Sequence, residues 1–352
     1  MFAYNLMLVI LASLSLAERF NILGSRYVPI LCSMIFVIIF TSARGDVGQD
    51  TSNYLLMYLD MENYKEYLEL GYYYTAKTFS DFGFSFNFFL LITSIFSVTL
   101  YYVAISKFIP RKYIILSFMI IFCDLYIYFN ISGLRQGIAL SICLFSSYFA
   151  YRGRYFPFIF LVVLATLYHK TAVLFLIVYP LLKLKINFSF KQLSFITLGC
   201  VFSFILSKFF LFGNESLSFM KGINMYLSEE YNTFSINTYI VGFLRRFYPI
   251  FLFFWFYKNI KNDQITKSIF NVYLFGFVFY AINYPIFQDI TVRISSYFIV
   301  FESILVVRIF MSLSNSLNKS IVLLMIYFVV YYKIFTYSSL DAYKYTLISF
   351  FL

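Results

Sequence analysis

Charge is what this sequence has least of. Asp, Glu, Lys and Arg together make up 12% of its 352 residues, against about 25% in soluble domains. With 62% apolar residues, so little charge cannot solvate a water-facing surface, which excludes a soluble domain. Histidine occurs once, at position 169, so there is no HExxH helix. The four cysteines, Cys32, Cys123, Cys143 and Cys200, lie inside apolar runs without CxxC spacing. That excludes a disulfide framework or zinc site and leaves them as small core side chains. Walker A, GxSxG and paired-aspartate metal motifs are missing too. Any chemistry is therefore expected within the membrane, with no metal and no cofactor.

What the chain does have is apolar runs from end to end, the mark of a polytopic helical membrane protein. About twelve spans are predicted, near 2–17, 27–43, 84–106, 113–131, 134–150, 155–168, 171–182, 188–212, 239–257, 268–287, 292–311 and 320–337. Together they make one integral membrane domain over residues 1–352. The first run lacks a basic start and a small-x-small cleavage site, and a second follows at once, so it reads as a span and not a signal peptide. The pair 155–168 and 171–182 is the shortest. It either borrows flanking residues or forms a re-entrant hairpin buried among its neighbours.

The net charge of +11 sorts by topology. One set of short loops, from Arg19 to Lys319, carries 15 cations against the two acids Glu18 and Asp263. The opposite set balances 12 cations with 12 acids, and Asp124 and Glu302 fall within spans. The basic loops are cytoplasmic by the positive-inside rule, so the charge needs no nucleic acid to explain it. Both termini then face outward, as do two longer loops, 44–83 and 213–238. Within the first, DMENYKEYLELGYYY is compatible with an interfacial amphipathic helix or with a plain solvated loop.

Orientation gives meaning to NISGLRQGIALS, residues 130–141. Arg135 and Gln136 sit at an outer turn between two spans, with Ser132-Gly133 as turn residues. One arginine at an interface could be a snorkelling anchor, but other polar groups are expected at the same level. Arg44, Asp46 and Asp50 follow the second span. His169 ends the sixth, Arg245 and Arg246 lie a turn or two into the ninth from its outer end, and Gln288, Asp289 and Arg293 form another outer turn. Polar groups in spanning segments usually face a cavity or one another. Arginines at this depth suit a phosphate or pyrophosphate, whose oxygens match the guanidinium fork. The deeper Asp124 and Glu302 either pair with a cation inside the bundle or mark the floor of the cavity.

The run from SGLRQGIAL to LYHKTAVLF resembles the EpsG branch of the Wzy-type O-antigen and exopolysaccharide polymerases. Its motifs read here as Arg135-Gln136-Gly137-Ile138-Ala139, Arg152-Gly153-Arg154 and Tyr168-His169-Lys170-Thr171-Ala172. A first-loop motif is matched by Arg44, Gly48, Asp50 and Tyr54, and a late one by Arg293 through Phe298. The resemblance implies a GT-C-like, all-α bundle in the bacterial inner membrane that acts on its periplasmic side. Its substrates would be oligosaccharide units linked to undecaprenyl pyrophosphate, and its partners a chain-length regulator and a flippase. The growing glycan would leave its carrier and join a new lipid-linked unit.

Such a transfer needs stabilisation of the leaving pyrophosphate and a base for the acceptor hydroxyl. Arg135, Arg245 and Arg293 are the candidates for the first task, with Gln136, Arg44 and Arg246 beside them. His169 is the candidate base, and Asp50 or Asp289 could serve in its place. The opposing reading is a flippase for the same lipid-linked unit, for which polar groups on both sides or a repeat between halves would be expected. No internal repeat is evident. A membrane acyltransferase would also use an embedded histidine, but the long cytoplasmic-side constellation expected of one is missing.

Overall fold

The structure is a computed structural model that describes residues 1–185 and 235–347. The expected span 188–212 and most of the loop 213–238 lie outside the described residues. Among those described there is no strand, only an isolated antiparallel bridge between Arg44 and Leu347. Five helices are long and apolar enough to cross a membrane: Phe2–Phe20, Phe86–Ser106, Arg111–Ser132, Gln264–Asn283 and Ser316–Ser338. The consecutive helices Gln288–Ile299 and Glu302–Ser312 add a sixth if they form one broken span. This is a multi-pass, all-helical membrane protein, as expected where lipid offers backbone groups no other partner. The short pair holds one apolar helix, Tyr155–Thr166, followed by the 3-10 segment Lys170–Ile177. Twelve residues rise only about 18 Å, well under a bilayer core of about 30 Å.

The chain divides into two compact units, Met1–Tyr179 with Glu302–Leu352, and Pro180–Phe301. The first contains α1 (Phe2–Phe20), α2 (Tyr27–Ser42), α3 (Thr51–Leu59), α4 (Leu70–Asp81), α5 (Phe86–Ser106), α6 (Ile114–Ile121), α7 (Leu134–Tyr151) and α8 (Tyr155–Thr166), together with the helices Glu302–Ser312 and Ser316–Ser338. Beyond α6 the helix widens into π turns over Phe122–Ser132. This span, Arg111–Ser132, is the axis of the unit and is almost wholly buried. Its start is capped from another helix. The Glu18 carboxylate at the end of α1 accepts from the Ile114 and Ile115 amides at 3.1 Å each, satisfying donors that a helix start leaves over. Close packing of α7 on the π segment depends on Gly137, where a Cβ would lie 2.8 Å from the Asn130 Cα. Hydroxyl contacts join the helices across the bundle. Ser33 meets Tyr102 at 2.8 Å, Thr41 meets Tyr126 at 2.8 Å, and Tyr101 donates to Asn130 Oδ1 at 3.2 Å. Small polar groups of this kind hold helices together where lipid offers no hydrophobic drive.

Asp124 and Glu302 do pair with a cation. Lys333, in the helix Ser316–Ser338, reaches Asp124 at 2.9 Å and Glu302 at 2.7 Å, and its side chain is 1% exposed. The Tyr337 hydroxyl, one turn on, donates to Asp124 at 3.0 Å. The second unit contains the helices Ile236–Trp255, Gln264–Asn283 and Gln288–Ile299. Its packing is aromatic: Phe253 stacks on Phe270 with centroids 3.6 Å apart, and Gly276 admits Phe298 where a Cβ would collide.

Removing the buried ammonium would strand two carboxylates, and breaking a buried pair costs roughly 3–5 kcal/mol. Lys333→Met is expected to lower the thermal unfolding midpoint in detergent strongly. Adding Asp124→Asn and Glu302→Gln to that variant should recover most of the loss.

Candidate active site

The loop between α2 and α5 is fastened to the bundle at Arg44, Gly48 and Tyr54. Arg44 is 2% exposed. Its guanidinium donates to the Thr41 carbonyl at 2.6 Å and to the Ile131 carbonyl at 2.9 Å, closing the ends of α2 and of the π segment. Gly48 has φ +105° and lies so close to Ser132 that a Cβ would sit 2.9 Å from its Cα. Only glycine meets both conditions. Asp50 is the N-cap residue of α3, and Tyr54, one turn on, presents its hydroxyl to Arg135 Nε at 3.4 Å. A cavity of about 540 Å³ opens beside this clasp, with Arg44, Asp46, Ser52, Leu55, Phe86 and Asn87 in its lining.

The stretch DMENYKEYLELGYYY is not one helix. It runs through turns and the short 3-10 segment Lys65–Tyr67 to an extended Glu69 (φ −68°, ψ 141°), after which α4 begins. The cause lies on the bundle. The Gly71 amide donates to the Leu167 carbonyl at 2.8 Å, at the end of α8, and the Thr75 and Tyr168 hydroxyls meet at 3.1 Å. This docking brings the Glu69 carboxylate between the two residues that sequence reasoning singled out. Oε2 accepts from Arg135 Nη1 at 2.6 Å. Oε1 lies 3.4 Å from His169 Nδ1 and accepts from the Lys170 amide at 3.3 Å. The His169 contact is electrostatic and falls short of a hydrogen bond, and both ring nitrogens are buried without a hydrogen-bond partner. Burial works to raise the Glu69 carboxyl. His169 and the Arg135 guanidinium outweigh it and hold the group down to about 2.

Arg135 and His169 thus meet on a carboxylate that sequence reasoning had not selected. Gln136 is buried on α7, next to Arg135 in sequence. Arg44 and Asp50 lie in the same unit, at the loop clasp. The second unit holds the other candidates. Arg293 pairs with Asp289 at 2.7 Å along the helix Gln288–Ile299, and Arg246 lies 3.9 Å over the Tyr280 ring while donating to the Gly242 carbonyl at 3.1 Å. Arg245 lies on the same helix as Arg246.

An all-helical, multi-pass membrane protein with an arginine and a histidine sharing one buried carboxylate at a helix-end loop is the class that fold and site define. The chain belongs to the EpsG family, whose model matches residues 27–349, nearly the whole length. This is a family of Wzy-like polymerases, so membership points to a polysaccharide repeat-unit polymerase. No curated protein and no solved structure matches the chain.

Two outcomes test the cluster. The folded-state value of Glu69 lies below its ordinary 4.5, so its stabilisation of the loop is complete above about pH 4.5 and fades toward pH 2. Proteolysis between residues 44 and 83 by an acid-active protease should therefore accelerate across that window. Gly71→Ala would place a Cβ 2.8 Å from the Leu167 carbonyl oxygen. It should lower stability by about 1–3 kcal/mol in thermal unfolding, and the same loop should become protease-sensitive at neutral pH.

Proposed function

We propose that this protein is an O-antigen polymerase, a metal-independent glycosyltransferase of the bacterial inner membrane. It transfers the growing glycan from undecaprenyl pyrophosphate to a newly delivered lipid-linked repeat unit at the periplasmic face. The full topology would be a GT-C-like bundle of about twelve spans with both termini in the periplasm. A flippase would deliver the units and a chain-length regulator would set when extension stops. Family membership supports the class of reaction. The observation that carries the site is the Arg135–Glu69–His169 cluster, where an anion-binding group and a proton acceptor lie at one carboxylate.

In the transfer, the acceptor hydroxyl attacks the anomeric carbon of the glycan on its carrier. The bond from that carbon to the pyrophosphate oxygen breaks, and its electron pair stays on the pyrophosphate. A guanidinium fixed beside the leaving oxygen stabilises the growing charge without having to reorganise. Arg135 takes this role, with Gln136 next to it on α7. His169 Nε2 takes the hydroxyl proton as the general base. Asp50 and Asp289 are the alternative bases. Asp289 already pairs with Arg293, which weakens its case.

A chromosomal deletion complemented by plasmid-borne variants tests the reading. At equal membrane levels, Arg135→Ala and His169→Ala should each shorten the glycan ladder to single capped units, reflecting rate losses of about 100-fold or more. Full-length ladders from both would dismiss this site. Loss of all exported units on deletion, in place of accumulated single units, would favour a flippase.

A further inference from the structure

One carboxylate meets both proposed reactive groups, and it meets each through a different oxygen. Glu69 Oε2 takes Arg135 Nη1, and Oε1 faces His169 Nδ1. On each partner an atom without a hydrogen bond among the described residues is the one the transfer would use. On Arg135, Nη1 and Nε are engaged by Glu69 and Tyr54, while Nη2 makes no hydrogen bond among the described residues. On His169, Nε2 is buried and without a partner. A negative charge 3.4 Å from Nδ1 favours the tautomer with the proton there, because the alternative would turn a lone pair toward a carboxylate.

We propose that Glu69 is a positioning residue: its carboxylate keeps the proton of His169 on Nδ1, so that Nε2 offers its lone pair, and it aims Arg135 Nη2 at the anionic leaving group. This deepens the polymerase reading and rests on it. During the transfer the acceptor hydroxyl gives its proton to Nε2 as the new C–O bond forms and the C–O bond to pyrophosphate breaks. The ring becomes an imidazolium whose Nδ1–H still faces Glu69, and its charge is compensated there until Nε2 returns the proton to water. Docking of α4 holds the carboxylate in place. The Gly71 and Tyr72 amides both donate to the Leu167 carbonyl, at 2.8 and 3.3 Å, two residues before the imidazole. A purely structural Glu69 would need only its pair with Arg135.

His169 is the only histidine, so histidine labelled with ¹⁵N in both ring nitrogens gives one pair of side-chain signals in proteoliposomes. At pH 8.5 wild-type protein should show a protonated Nδ1 and an unprotonated Nε2. The reverse tautomer in wild type would overturn the proposal with no variant needed. Glu69→Gln should produce a mixture of tautomers, while Glu66→Gln, on an exposed neighbour, should leave the wild-type pattern. In reconstituted polymerisation Glu69→Gln should lower kcat by about 100-fold or more with KM within about threefold of wild type, and Glu69→Asp should regain part of the rate. An unchanged tautomer or wild-type kcat in Glu69→Gln would sink the role of Glu69. Wild-type protein that forms no polymer from lipid-linked units, with the Nδ1 tautomer intact, would instead sink the polymerase reading.

Discussion

The charge of Glu69 between Arg135 and His169 is the contact on which one end of the first unit is organised. An arginine near the start of a helix is badly placed on electrostatic grounds, because the exposed amides there already carry partial positive charge. α7 begins at Leu134, so Arg135 lies in its first turn and needs an anion. The loop between α2 and α5 supplies one at Glu69, where the backbone is extended just ahead of α4. The same placement brings the loop backbone onto the end of α8, where the carbonyl of Leu167 has no onward helical donor and accepts two amides from α4 instead. One ion pair thus fixes α3, α4, α7 and α8 at a common level.

The short motifs become mechanical parts once that level is seen. Arg44 and Gly48 seal the loop to the end of the π segment, one through its guanidinium and the other through the absence of a side chain. Tyr54 continues the line to Arg135. On the bundle side, Gly137 allows α7 to lie against Asn130, which sets where Arg135 emerges. Residues distant in sequence therefore work as one clasp around a widened helix, a geometry often found at functional sites.

Much of this was legible beforehand, and the physical reasons separate what was from what was not. Apolar run length and the spacing of Arg and Lys identify the long helices, because the bilayer imposes length and charge cost directly. The pairing of Asp124 and Glu302 with a cation was foreseeable, since charges buried in a bundle need partners. That the cation is Lys333 was not, because its position near the end of an apolar helix is also where a snorkelling lysine would sit. Arg135 and His169 stood out as polar groups in apolar surroundings. Glu69 did not, being one of seven acids between residues 44 and 83. Nothing local distinguishes it from Glu62 or Glu66, and only the docking of α4 on Leu167 selects it.

The two buried charge clusters of the first unit differ in a way that separates support from chemistry. Around Lys333 both carboxylates converge on one ammonium, with Tyr337 on Asp124, and its side chain is almost wholly enclosed. Such a group resists change, since moving any member strands a charge in a medium that screens poorly. Around Glu69 the arrangement is open. Arg135 keeps 22% of its side chain exposed, and His169 holds ring nitrogens that are buried yet make no hydrogen bond. An unmet buried polar atom costs about 1–3 kcal/mol, and a fold with tyrosines and serines to spare could have satisfied it. That penalty is offset when an incoming hydroxyl becomes the missing partner of Nε2, so the stability given up in the empty site is available to bind an acceptor in reactive alignment.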